Sequence, residues 1–167
     1  MMDWSWTELQ ALGVKAATGA GVPPAQALAF GAMLARHLAD GGSEQPVSAA
    51  LAAPETILTL AHRVEAMIET ASIKQRAVSV SEPDAGHRAL LISWLSGLPC
   101  QVDISASGNE ITARLALAAP STRSRPVRIT LSTAMGRQLH DLAARTYVPD
   151  SAASRASGAG AGLMEMD

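Results

Sequence analysis

Between Cys100 and Leu117 the chain alternates apolar and polar residues around a central Gly108-Asn109 pair, and this alternation is its most constraining feature. Val102, Ile104 and Ala106 fall on one side of it, Gln101, Asp103 and Ser105 on the other. Gly and Asn tolerate the positive φ of a tight hairpin loop, so the pair predicts a two-residue turn. With that turn, Ser107 faces Glu110, Ile104 faces Ala113, Val102 faces Leu115 and Asp103 meets Arg114. Apolar pairs then share one face and the opposite charges meet on the other. A slip by one residue would destroy both matches at once. The stretch Pro126 to Leu131 repeats the pattern, with Val127, Ile129 and Leu131 inward and Arg128 and Thr130 outward, and predicts a third strand. One face of such a sheet is apolar and must be covered by helices.

Helices are predicted on both sides of the strands. Ser5-Trp6-Thr7-Glu8 reads as a capping box, with Trp4 and Leu9 at the staple positions. That first helix runs to Gly19–Gly21. A second starts at Pro23 or Pro24, where a missing amide costs nothing, and ends at Asp40-Gly41-Gly42. The two are expected to pair antiparallel. A short helical turn is placed at Val47 to Leu51, and a third long helix opens at Pro54, with Ile57, Leu60, Val64 and Ile68 on one face. Ala77 to Val80 reads as a short edge strand. His87 to Leu95 is an unbroken apolar run read as a buried helix, though periodicity alone does not separate it from a strand. A last helix is capped by Ser132 or Thr133 and closes at Tyr147-Val148-Pro149. The fold class is therefore α+β: N-terminal helices, a small antiparallel sheet, a C-terminal helix. Residues 1–149 are read as one globular domain. Residues 150–167, rich in Ser, Ala and Gly, are read as a tail or arm.

Composition narrows the classes of function. Hydrophobic residues make up 48% of the chain and charged ones 17%, the balance of a globular protein. Aromatics are only 3%, and alanine supplies much of the rest, so the helices must pack through small side chains. The net charge is −2, and the 11 arginines outnumber the 2 lysines without forming a basic run. Neither an electrostatic stripe nor a stacking surface for nucleic acid is present. The arginine, alanine and glycine bias is that of a GC-rich bacterial genome. One cysteine excludes an internal disulfide. The N-terminus shows no basic and apolar regions of a signal peptide, and no segment approaches the roughly 18 apolar residues of a membrane span. These features predict a cytoplasmic protein that does not engage a membrane.

Few residues carry an evident chemistry. His37, His62, His87 and His140 stand in no metal-ligand spacing, and the first, second and fourth read as surface or boundary residues within helices. Glu82, Asp84 and His87 bring three polar ligand types onto one loop, where Asp84 is also a natural helix cap. Cys100 enters a strand, with neither a helix N-terminus nor a paired His to lower its pKa, and reads as a buried structural thiol. The run Gly158, Gly160 and Gly162 offers backbone amides that suit an anion, with Arg155 just before it, but lacks the Lys-Ser/Thr of a P-loop.

Two resemblances follow from particular stretches. Trp4-Ser5-Trp6-Thr7-Glu8-Leu9-Gln10-Ala11-Leu12, with Ala144-Arg145-Thr146-Tyr147-Val148-Pro149 and the Gly158–Leu163 run, resembles a bacterial family of domains of unknown function common in alphaproteobacteria. That resemblance implies a part for the glycine run beyond that of a tail, and it transfers no activity. The family closes on an acidic, Asn-containing tail, from which Met164-Glu165-Met166-Asp167 departs. Gly21-Val22-Pro23-Pro24-Ala25-Gln26-Ala27 is similar to the opening of type-2 malate/lactate dehydrogenases. Their catalytic His lies in a Ser-His-Gly motif after the second helix, and Gly41-Gly42-Ser43-Glu44-Gln45 holds no His.

No set of acid, base and nucleophile stands out. The sequence is therefore read as a non-catalytic accessory or interaction protein, with a protein partner or a homodimer and no cofactor. The alternative is a small-molecule site built from the Glu82–His87 loop and the Arg155–Gly162 segment.

Overall fold

The computed structural model describes residues 1–74 and 76–146. In chain order the elements are β1 (Met2–Trp4), α1 (Trp6–Gly19), α2 (Pro24–Ala39), α3 (Glu44–Ala52), α4 (Pro54–Lys74), β2 (Val78–Ser81), α5 (Ala85–Ser96), β3 (Cys100–Ser107), β4 (Glu110–Pro120), β5 (Ile129–Leu131) and α6 (Thr133–Ala144). The fold is α+β. Tyr147 and the tail with Arg155, Gly158, Gly160 and Gly162 lie outside the described residues.

The hairpin has the register that the alternation predicts. Ser107 pairs with Glu110, Ile104 with Ala113, Asp103 with Arg114 and Val102 with Leu115. Gly108 takes φ +56°, the left-handed conformation the turn demands. A register shift between Cys100 and Gln101 bends the start of β3. β2 joins the other side of β4, giving the order β2-β4-β3 with every neighbour antiparallel. The outward face is polar, where Ser79 and Thr112 share a 2.7 Å hydroxyl hydrogen bond.

The expected third strand needs correction. Pro126–Leu131 does not extend the hairpin sheet. Only Ile129–Leu131 is strand, and it pairs with β1 in a separate two-stranded sheet, Trp4 against Ile129 and Met2 against Leu131. Val127, expected inward, is 85% exposed. Alternation reports which face a strand buries and says nothing of its partner. β4 already holds β3 and β2 on its two edges, and Pro126 brings no amide to a ladder.

The helical layer follows local rules. Ser5 and Glu8 form the reciprocal capping box, and Asp84 and Ser132 cap α5 and α6 through their side chains. The 85–96 run is a helix, twelve residues long. One continuous core joins helices and both sheets, with Leu9, Phe30, Leu34, Leu90, Leu95, Ile111 and Leu139 fully buried. Among the described residues no helix is long and apolar enough to cross a membrane.

Small side chains do set the helix spacing. A Cβ on Gly31 of α2 would stand 2.6 Å from the Gln10 carbonyl oxygen and 2.5 Å from Val14 Cγ2 of α1. A Cβ on Gly19 would meet the Leu142 carbonyl oxygen of α6 at 1.8 Å. Backbone cannot yield as a side-chain tip can. For Gly31→Ala the helix-propensity gain of up to about 1 kcal/mol is outweighed by overpacking of about 3 kcal/mol. Urea unfolding should show a net loss of about 2 kcal/mol; unchanged stability would mean that α1 and α2 separate freely.

Candidate functional site: a groove between a strand edge and a helix

The loop before α5 brings Glu82, Asp84 and His87 together, but engages two of them in the fold. Glu82 is 5% exposed. Its carboxylate accepts from the Arg63 guanidinium and, at 2.9 Å, from the Asp84 amide. Its amide donates to the Asn109 carbonyl at 2.7 Å, and Arg88 donates to its carbonyl at 2.7 Å. Asp84 caps α5 by accepting from the His87 amide at 2.7 Å. That backbone hydrogen bond holds the Asp84 carboxyl below its ordinary pKa. The exposed His87 ring stands 4.0 Å from the Asp84 carboxylate. Glu82 and His87 border a cavity of about 120 Å³ with Glu55 and Thr59. Among the described residues no three His, Cys, Asp or Glu side chains are grouped to hold a metal. Arg155, Gly158, Gly160 and Gly162 lie outside the described residues. Cys100 is buried at the strand entry, as a structural thiol would be.

A different region has the features of a site. His37, read from sequence as a surface or boundary residue, is 3% exposed. Its Nε2 donates to the Ser43 carbonyl at 2.8 Å, since a carbonyl only accepts. In the neutral ring Nδ1 then accepts from the Ser93 hydroxyl, also at 2.8 Å. This chain ties α2, the 41–43 turn and α5 into one wall. Beside it the buried Arg36 donates through Nε to Asp40 at 2.9 Å and through Nη1 to the Ser124 carbonyl at 2.8 Å. Arg36 thereby pins the segment that follows β4. The signal for His37 was present in the sequence: Phe30, Met33, Leu34, His37 and Leu38 share one stripe of α2.

A cavity of about 430 Å³ lies against this wall. Ala89, Ile92, Ser93 and Ser96 of α5 face it at helical spacing, and Ile104 and Ala106 of β3 form its other bank. It meets a second cavity of about 510 Å³ at Ser96 and Arg123, where Trp6, Arg36 and Arg125 are walls.

The bank at β3 is an open strand edge. The Glu82 amide bond to the Asn109 carbonyl turns the backbone groups of Asn109, Ile111 and Ala113 toward β2. Those of Glu110, Thr112 and Arg114 then turn toward β3, where they meet Ser107, Ser105 and Asp103. Val102, Ile104 and Ala106 are left with N–H and C=O groups on the outer edge, and no strand among the described residues pairs with them. The same three residues aim their side chains at the core face, so edge and groove coincide.

Two outcomes check the loop reading. Glu82→Ala would strip a buried carboxylate from Arg63, which keeps some solvent, and should lower unfolding free energy by about 3 kcal/mol; a loss below about 0.5 kcal/mol would mean the pair is surface-like. A lowered carboxyl pKa contributes stability that is complete above the ordinary Asp value and lost as pH falls through the lowered one. Asp84→Asn should therefore flatten the fall of Tm below about pH 4, and parallel curves for the two proteins would contradict it.

No protein-family model, curated protein or solved structure matches this chain.

Proposed function

We propose that the chain is a non-catalytic interaction module that takes an extended segment of a partner protein as an added strand on the outer edge of β3. The observation that carries this is the row of backbone groups at Val102, Ile104 and Ala106 that no strand among the described residues pairs, bordering a preformed groove against α5. Unpaired strand edges template further pairing, and natural proteins usually blunt them with charge, proline or cover. β3 is eight residues long, has no proline, and turns Ile104 and Ala106 toward the cavity. Strand addition draws affinity from main-chain hydrogen bonds and selectivity from pockets for alternate side chains. Here the groove presents the apolar side chains of Ile104 and Ala106 on one side and of Ala89 and Ile92 on the other. They suit a segment with small β-branched residues at every second position. With its single thiol buried at Cys100, the protein is suited to a reducing cytoplasm.

The test uses the full chain and a random peptide library displayed on phage, followed by calorimetry on synthetic copies of the recovered peptides. The recovered peptides should alternate apolar and polar residues, and should slow hydrogen exchange at the Ile104 and Ala106 amides. Ala106→Pro removes an N–H that lies outside the β3–β4 ladder, so it should leave Tm nearly unchanged while weakening binding roughly tenfold or more. Peptides that bind without protecting Ile104 and Ala106 would overturn the proposal. So would a purified protein already dimeric through β3, which would make a second copy the occupant.

A further inference from the structure

We infer that the occupant of the groove carries a carboxylate, read by Arg123 and Arg125 where the two cavities meet beside Trp6. The inference rests on the strand-addition reading and adds the chemistry of one end of the segment.

Three arginines line the second cavity, Arg36, Arg123 and Arg125, and Arg123 lines the first as well. Arg36 is spent: it pairs with both oxygens of Asp40 and also donates to the Ser124 carbonyl. Asp40, the acidic group on the groove wall, is neutralised by the same contact. Arg123 and Arg125 belong to no ion pair among the described residues, so the junction keeps two uncompensated cations.

Their surroundings prepare them for an anion. Arg125 lies over the Trp6 ring, 5.2 Å from its centroid, and Arg36 stands 5.1 Å from the same ring. A guanidinium stacked on an indole keeps its N–H edge free for a planar acceptor while its mobility is reduced. Trp6 is itself held, donating through Nε1 to the Gln10 side chain at 3.1 Å. The backbone that carries Arg123 is fixed on both sides: Ser121 donates to the Pro99 carbonyl at 2.9 Å, and the Ser124 carbonyl receives Arg36 at 2.8 Å. Planar, forked guanidinium groups match a carboxylate better than a point charge would.

Position narrows the source. Leu98, Pro99 and Pro120 line the same cavity as these arginines, so the cationic end lies at the start of β3. A segment running antiparallel to β3 would bring its own C-terminus there. A segment running parallel would reach it only with an Asp or Glu side chain. The shared chemistry is the carboxylate.

The experiment takes one peptide that binds the β3 edge and makes it in three forms: free C-terminal acid without acidic side chains, the corresponding amide, and the amide with Asp at the residue nearest the arginines. Titration against the full chain at low salt should give one acidic form an advantage of roughly tenfold over the plain amide. Arg123→Ala or Arg125→Ala should remove that advantage, bringing the acidic forms to the affinity of the plain amide measured on the same variant. An advantage for the free acid identifies an antiparallel strand read at its terminus; an advantage for the Asp form identifies a side chain. Equal affinity of all three forms, or an acid preference that survives both arginine substitutions, would overturn the inference. If binding still depended on Ala106 in that case, the strand-addition reading would stand without it.

Discussion

The hydrogen bond from the Glu82 amide to the Asn109 carbonyl sets the parity of three strands. It assigns Asn109, Ile111 and Ala113 to β2, and so gives β3 the alternate residues of β4. In a two-residue hairpin the closing pair exchanges hydrogen bonds, so the residues of β3 that face the core are those whose backbone faces out. Apolar side chains and main-chain groups that no described strand pairs therefore occur at the same positions, Val102, Ile104 and Ala106. A partner strand would meet both at once. The knot that holds this parity is local. Arg63 and the Asp84 amide occupy the Glu82 carboxylate, and Arg88 reaches both the Glu82 carbonyl and, at 3.3 Å, the Asn109 side chain. The loop that sequence singled out for its ligand types thus acts by fixing the hairpin tip against the start of α5.

The opposite bank depends on the helices. α5 packs on α2, and the His37 ring bridges the Ser93 hydroxyl and the Ser43 carbonyl. A buried imidazole with both nitrogens bonded costs little, whereas removing either partner would strand a polar atom in the core. The contact thus holds α5 in one rotation, with Ala89, Ile92 and Ser96 toward β3. α2 is positioned in turn by its approach to α1 at Gly31, which admits no Cβ. The groove's width is therefore inherited from glycine sterics two layers away.

What could be read from the sequence depended on the range of the interaction. The hairpin register was legible because Asp103–Arg114 and the apolar pairs all require one alignment, and the caps at Ser5, Asp84 and Ser132 because a cap is written within four residues. The identity of the third strand was not. Val78–Ser81 and Ile129–Leu131 both alternate, and only the free edge of β4 and the approach of Met2–Trp4 decide which of them joins the hairpin. The groove was illegible for a similar reason. Its arginines follow β4 in a stretch with no periodicity, and its significance lies in Asp40 neutralising Arg36, across 88 residues from the Ser124 carbonyl that Arg36 also holds.

The Ser93–His37 pair raises the question of chemistry, since a hydroxyl donating to an imidazole oriented by a third group is the arrangement of an activated nucleophile. The local context supports a structural part instead. Ser93 lies within α5 and is 8% exposed, and the helix consumes the neighbouring amides that an oxyanion would need. The third group is a backbone carbonyl rather than a carboxylate that would stabilise a protonated ring. On the groove side of the same wall the polar groups without partners among the described residues are a row of strand amides and carbonyls and two arginines beside an indole. A site with such donors along one edge and such charge at one end is what the proposed strand addition would use, and on that proposal its selectivity would follow from alternation and from a single anionic group.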